Sequence, residues 1–203
     1  KFRPVIKTRK DGKFVFLFIS RLIKDKGILE YAEAAAWLKD LNPEVSCQVL
    51  GPYYTQNLKD NIITEKQIMR WLDNGIINYL GAANDVRPFI AEADCIVLPS
   101  YREGMSNVLL EASAMQKPCI ATNTPGCREI VLNNETGFLC EPKDARSLLE
   151  VMEKMSLLSE TARDEMGVKA RERVKEKFAK KIVITAYINA IEKFKKNKTG
   201  SSK

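Results

Sequence analysis

Among its 203 residues the chain has no histidine, no Cys-x-x-Cys pair, no Asp-x-Asp triplet and no Gly-x-Gly-x-x-Gly run. Each absence removes a class of chemistry. Without histidine, imidazole acid/base catalysis is excluded within this chain, and without paired cysteines a zinc site has no ligand set. A divalent cation has no obvious carboxylate pair to sit on. A dinucleotide-dependent oxidoreductase is disfavoured, because no glycine fingerprint follows the first apolar run. No apolar stretch approaches the roughly 18 residues of a membrane span. The basic opening, KFRPVIKTRKDGK, is not followed by the apolar core of a signal peptide, and it lacks an initiator Met. The expectation is therefore a piece of a longer protein. Glycine and proline are scarce, at 10 and 8 residues, so a low-complexity linker has little to be made from.

What is present suits one substantial α/β domain: 45% hydrophobic residues, 29% charged, and a length short for two domains. The five cysteines lie at 47, 95, 119, 127 and 140, an odd number, and the first three fall inside apolar runs. They read as reduced, buried thiols of a cytosolic protein. The net charge of +7 is unevenly placed, since residues 161–203 hold 13 Lys and Arg against 5 Asp and Glu. Most of these charges read as a solvated face, and the functional alternative is attraction to an anionic membrane surface or a lipid-phosphate acceptor. Nucleic acid is not expected as a partner, because the basic segment lacks interleaved aromatics and any nucleic-acid motif.

Short apolar runs alternate with longer helical patterns, which predicts a parallel sheet with helices on both faces. Strands are expected over 14–20, 45–51, 76–81, 94–98, 118–122 and 137–140. Helices are expected over 27–41, 64–74, 85–93, 106–115, 145–156, 160–177 and 179–195. Thr64 and Gln67 have the spacing of a capping box. Residues 1–13 form a basic N-terminal segment, 14–195 the domain, and 196–203 a disordered tail. Right-handed crossovers align the C-terminal ends of the strands on one edge, where open α/β sheets bind ligands. The loops after the first, third and fourth strands are therefore the ones to search.

The stretch PSYREGMSNVLLEASAMQKPC, residues 99–119, carries two carboxylates with seven residues between them, Glu103 and Glu111. Glu103 lies in a Gly-containing loop after an apolar strand. Glu111 lies about one turn into a helix starting near Ser106, whose first N–H groups have no internal partner and favour an anion. With 26 acidic residues, spacing alone fits equally a loop glutamate and a surface helix glutamate. The order of the surrounding elements is more specific: apolar strand, Pro-Ser, Glu-Gly, helix, Lys-Pro, apolar strand.

This order resembles the donor-binding half of retaining glycosyltransferases of the GT-B fold, family 4 (the group 1 transferases), from about residue 14 to 194. The resemblance implies a Rossmann-like parallel sheet flanked by helices, the C-terminal half of a GT-B fold, with the N-terminal acceptor domain absent from this chain. It implies transfer of a sugar from a nucleotide-sugar to an acceptor hydroxyl, with retention and without metal or cofactor, in cell-surface polysaccharide or glycan assembly. The fragment by itself is expected to be inactive. The segment SRLIKDKG is similar to the family's GRL…KG element, so Ser20, Arg21 and Lys26 would line the donor diphosphate, with Lys24 a weaker candidate. Fixed cations there stabilise charge growing on the leaving group.

By the same resemblance Glu103 would face the donor sugar beside the N–H groups of Gly104, Met105, Ser106 and Asn107, with Val108 completing the anion-binding helix start. Glu111 would take the ribose hydroxyls, as an acceptor-only carboxylate suits a vicinal diol. Glu103, Arg21 and Lys26 are the expected catalytic group. Backbone around Ala82, Asn84 and Val86 would frame the base, with UDP favoured. TPGCREIV, residues 124–131, is similar to a family segment, and it reads as a Pro-Gly turn followed by a helix start. Two departures stand out: Ser20 where the family usually has Gly, and EGMS where many members read EGFG. The C-terminal helix of the family packs on the N-terminal domain, which would leave Ile182, Ile184, Tyr187, Ile188, Ile191 and Phe194 exposed here. The acceptor would be lipid-linked or a glycan at a membrane surface, and the location cytoplasmic, peripheral to the inner membrane. The alternatives are a GT-B nucleotide-sugar 2-epimerase and a non-catalytic nucleotide-binding domain.

Overall fold

A computed structural model describes residues 2–5, 7–8, 12–53, 61–179, 181–182, 184–185 and 187–192. The first strand, β1 (Phe14–Ile19), explains the architecture. Its side chains alternate between two layers. Phe16 and Phe18 pack with Tyr31, Ala35, Leu38, Leu148 and Met152 on one face. Val15, Leu17 and Ile19 pack with Ile90, Leu109, Ala112 and Met115 on the other. A strand covered on both faces reads as a continuous apolar run.

The remaining elements follow in chain order: α1 (Ile28–Leu41), β2 (Val45–Leu50), α2 (Glu65–Asp73), β3 (Asn78–Tyr79), α3 (Arg87–Glu92), β4 (Cys95–Leu98), α4 (Asn107–Ala114), β5 (Cys119–Thr122), β6 (Gly137–Cys140), α5 (Ala145–Leu157) and α6 (Glu160–Lys177). The six strands form one sheet in the order β3-β2-β1-β4-β5-β6. Every pairing is parallel. The Rossmann-like sheet expected of the C-terminal half of a GT-B fold is thus present. Strand order reverses between β1 and β4, so the loops following those two strands open side by side.

Local chemistry fixes the helix ends. Thr64 accepts from Gln67 N at 3.2 Å at the start of α2, as its capping pattern predicts. Asp144 accepts from the backbone N–H groups of Arg146 and Ser147 at the start of α5. Inside α1, Tyr31 is fully buried, and its hydroxyl donates to Phe16 O (3.0 Å) and Gln48 O (3.1 Å). It thereby ties the helix to β1 and β2.

Three expectations need adjustment. The third strand is two residues long rather than 76–81: Asn78 and Tyr79 alone pair with β2, opposite Gln48 and Val49. The helix expected over 85–93 starts at Arg87, because Asp85 accepts from Arg87 N and shapes a turn first. The segment after Pro125-Gly126 forms successive turns rather than a helix. The basic N-terminal segment is tied to the sheet's N-terminal edge: Lys7 pairs with Asp94 at 2.7 Å and Thr8 bonds to Glu92. The described residues between 181 and 192 are helical, and Ile182, Ile184, Tyr187, Ile188 and Ile191 are 43–69% exposed. Phe194 and the expected disordered tail, 196–203, lie outside the described residues.

Candidate functional site

The site lies at the C-terminal edge of the sheet, where β1 and β4 part. After β1 the chain runs through a short 3-10 turn, Lys24–Lys26, closed by Gly27 N donating to Lys24 O at 2.7 Å. Gly27 has φ of 75°, a left-handed conformation, and any Cβ there would lie 2.0 Å from Pro99 O. Only glycine lets the start of α1 approach the end of β4 this closely.

The loop after β4 is strapped to that turn. Tyr101 N (2.9 Å) and the Ser100 hydroxyl (3.1 Å) both donate to Asp25 O. Arg102 reaches the Asp25 carboxylate at 3.2 Å. These ties bring the Lys26 ammonium to 2.6 Å from the Glu103 carboxylate, with side chains only 17% and 13% exposed. Two of the residues predicted to act together therefore meet. Arg21, exposed, stands on the same loop.

Glu103 is followed by Gly104 and Met105, both exposed, and by buried Ser106, which caps α4 by accepting from Leu109 N at 3.4 Å. The helix is held against the sheet by Leu109, Ala112 and Ser113, which leaves Asn107, Val108 and Glu111 at least partly solvent-accessible. The positive end of the helix, its orphan N–H groups and Glu111 thus lie on the chain immediately after Glu103.

A third loop supports this one from the β5 side. Gly126 has φ of 84°, and a Cβ there would fall 2.0 Å from Gly104 O and 2.6 Å from Glu103 O. Gly126 N donates to the Glu129 carboxylate. Arg173 of α6 donates to Ile130 O at 3.2 Å and to Glu129 O, fixing the far side of the loop. Thr122 donates to Ser100 O, joining the ends of β4 and β5. Burial pushes the Cys127 thiol up beneath this loop, so it stays neutral.

The predicted base-framing loop sits on the same edge, two strands away. It is anchored by Gly51 N donating to Gly81 O (2.8 Å) and Tyr79 OH donating to Gly51 O (2.9 Å). Ala82 and Asn84 are exposed and Val86 is half-buried. Gly51 in turn abuts Ser20, where a Cβ would fall 1.7 Å from the Ser20 carbonyl oxygen. The ends of β1, β2 and β3 are therefore in contact in series, Ser20 against Gly51 and Gly51 against Gly81.

Several supporting residues were not legible in the sequence. The Tyr101 hydroxyl donates to Glu30 of α1 at 2.7 Å, and Asp25 organises the loop through its backbone oxygen. Neither belongs to a local motif. The one available signal was the Thr-Pro-Gly sequence at 124–126, which marks a turn without showing what it presses on.

The arrangement offers fixed cations, a helix N-terminus and two carboxylates along one edge, chemistry suited to a phosphate-bearing ligand with several hydroxyls. Comparison with known proteins agrees with the fold. Residues 2–173 match the family model described as "Glycosyl transferases group 1". The capsular polysaccharide biosynthesis glycosyltransferase CapM of Staphylococcus aureus is 31% identical over 173 residues, covering 85% of this chain and 44% of the relative. A Campylobacter jejuni enzyme, N,N'-diacetylbacillosaminyl-diphospho-undecaprenol alpha-1,3-N-acetylgalactosaminyltransferase, is 33% identical over 150 residues, covering 74% of this chain and 36% of the relative. The chain thus spans less than half the length of these relatives. HepE of Anabaena, solved in complex with UDP and glucose, superposes with a TM-score of 0.74 at 22% identity, over 91% of this chain and 48% of the other. That likeness is one of fold.

Proposed function

The chain belongs to the group 1 glycosyl transferases, and on that premise we propose that it is the donor-binding domain of a glycosyltransferase. The complete enzyme would move a sugar from a nucleotide-sugar to an acceptor hydroxyl, with retention at the anomeric carbon, in polysaccharide or glycan assembly. The observation that carries this reading is the Lys26–Glu103 contact at the switch point, set directly before the N-terminus of α4.

In this reading Arg21, Lys26 and the first N–H groups of α4 hold the donor diphosphate. As the bond to the sugar breaks, negative charge grows on the leaving phosphate. Cations already fixed beside it stabilise that charge more than they stabilise the ground state. This supports a reaction that needs no divalent ion, in a chain without an Asp-x-Asp triplet. Glu103 addresses the sugar, Glu111 the ribose diol, and the loop at Ala82, Asn84 and Val86 the base. UDP is the favoured nucleotide, in keeping with the HepE complex.

Among the described residues after α6, five large apolar side chains are exposed. Contact with an N-terminal acceptor domain would cover them and close the cleft. The Campylobacter relative is named for a lipid-linked acceptor, and the surplus of Lys and Arg after residue 160 suits such a substrate at the cytoplasmic face of a membrane.

Calorimetric titration of this chain with UDP, GDP, ADP and NAD tests the reading. One nucleoside diphosphate should bind selectively, unaffected by EDTA, and about tenfold more weakly to Glu111→Ala. Preference for NAD, or indifference to the Glu111 substitution, would overturn it.

A further inference from the structure

We infer that the hydrogen bond between Tyr101 and Glu30 is a positioning strap that sets Glu103 against the sugar portion of the donor. The inference deepens the donor-binding reading and rests on it. Glu30 lies in the first turn of α1, and Tyr101 lies two residues before Glu103. The phenol donates to Glu30 Oε1 at 2.7 Å. Lys143 Nζ stands 5.0 Å from the centroid of the Tyr101 ring, on the side of the chain that follows β6. Burial and the neighbouring Glu30 carboxylate both push the phenol's pKa up, so the proton stays on Tyr101 and the donor is retained.

Core stability does not call for this pair. Glu30 Oε2 is buried with no partner among the described residues, and a half-satisfied carboxylate is a cost. The packing of α1 is supplied by Ile28, Tyr31, Ala32, Ala34, Ala35 and Leu38. A directional O–H···O bond contributes something apolar packing does not: a fixed place for the loop it ends on. The backbone of that loop is already held at Tyr101 N by Asp25 O. The side-chain bond adds a second point and so fixes how the loop turns towards Glu103. Helix α4 has its own cap and its own buried face, so Glu111 and the helix N-terminus do not depend on the strap.

This separation makes the inference testable. UDP, UDP-glucose and UDP-N-acetylglucosamine are titrated into the chain, and the readout is the ratio of UDP affinity to that of the tighter sugar nucleotide. In Tyr101→Phe and Glu30→Leu the sugar's contribution should fall about five- to tenfold, as expected for one lost hydrogen bond, while UDP affinity stays within twofold. Glu30→Gln keeps an acceptor for the phenol and should restore the wild-type ratio. Thermal melts identify a variant that has simply unfolded, and the Glu30 pair then decides the matter. An unchanged ratio in Tyr101→Phe or Glu30→Leu, equal weakening of UDP and sugar nucleotide, or failure of Glu30→Gln to rescue would each overturn the strap. If the unmodified chain binds UDP but gains nothing from the sugar, the strap falls and the donor-binding reading stands. If it binds no nucleotide, both fall.

Discussion

Lys26 and Glu103 stand 77 residues apart in the chain and 2.6 Å apart in space. The pair joins the loop after β1 to the loop after β4, and each member is otherwise assigned to a different part of the donor. Under the proposed reading Glu103 competes with the donor diphosphate for the Lys26 ammonium. Glu103→Gln should leave UDP binding unchanged or tighten it two- to fivefold, while Lys26→Ala weakens it tenfold or more. Calorimetry on both variants and the double variant decides. Equal weakening by the two single substitutions would show that the pair serves only to hold the loops together.

Two left-handed glycines of the site, Gly27 and Gly126, predict a second difference. Gly27→Ala places a Cβ 2.0 Å from Pro99 O, against rigid backbone on both sides, and the turn has no room to yield. It should cost upwards of 2 kcal/mol in denaturant unfolding. Gly126→Ala meets Gly104 O, in a stretch where Gly104 and Met105 are exposed. It should cost less stability, about 1 kcal/mol, and reduce sugar-nucleotide affinity more than UDP affinity, because the displaced backbone carries Glu103. Equal stability losses in the two variants would contradict this account.

How much of this was legible follows from the range of the interactions concerned. The strands and helices were readable because β1, β4 and β5 are apolar on both faces and the helices repeat at the helical period. Thr64 was readable as a cap, and the start of α4 was readable near Ser106, because helix-start signals act within a few residues. The 3-10 turn at Lys24–Lys26 was not: KDK has no periodicity, and its shape comes from Gly27 and the contact with Pro99. The Lys26–Glu103 and Tyr101–Glu30 bonds depend on which strand ends become neighbours, a property of the sheet order. A family resemblance could put Lys26 and Glu103 in one site, but not in contact with each other.

The buried thiols contribute to the response to alkali. Burial pushes Cys47, Cys119 and Cys140 up to about 12 from an ordinary value near 9. Well below pH 9 they are neutral thiols whether the chain is folded or not, and they add no pH dependence. Between pH 9 and about 12 the unfolded chain releases these protons and the folded chain keeps them, so stability falls as pH rises. At pH 10 the loss should be on the order of 1 kcal/mol per thiol. Urea midpoints at pH 8 and pH 10 measure it. Iodoacetamide at pH 8.5 should label the native chain far more slowly than the unfolded one, and rapid labelling of the native chain would contradict the burial.

The exposed apolar side chains near the C-terminus give the last expectation. Ile184, Tyr187, Ile188 and Ile191 follow the i, i+3, i+4, i+7 spacing of one helical stripe, and each is 49–69% exposed. Side chains this exposed add little to the stability of the chain that bears them, so Ile184→Ser with Ile188→Ser should leave the melting temperature within about 1 °C. Leu109→Ala, at a position with no exposure, should cost about 2–5 kcal/mol instead. The stripe should also make the unmodified chain self-associate at high concentration, and the double serine variant should sediment as a monomer where the parent does not. A melting temperature lowered by several degrees in the serine variant would mean that the helix folds back onto its own domain in solution. The apolar stripe would then be core rather than a face awaiting a neighbouring domain.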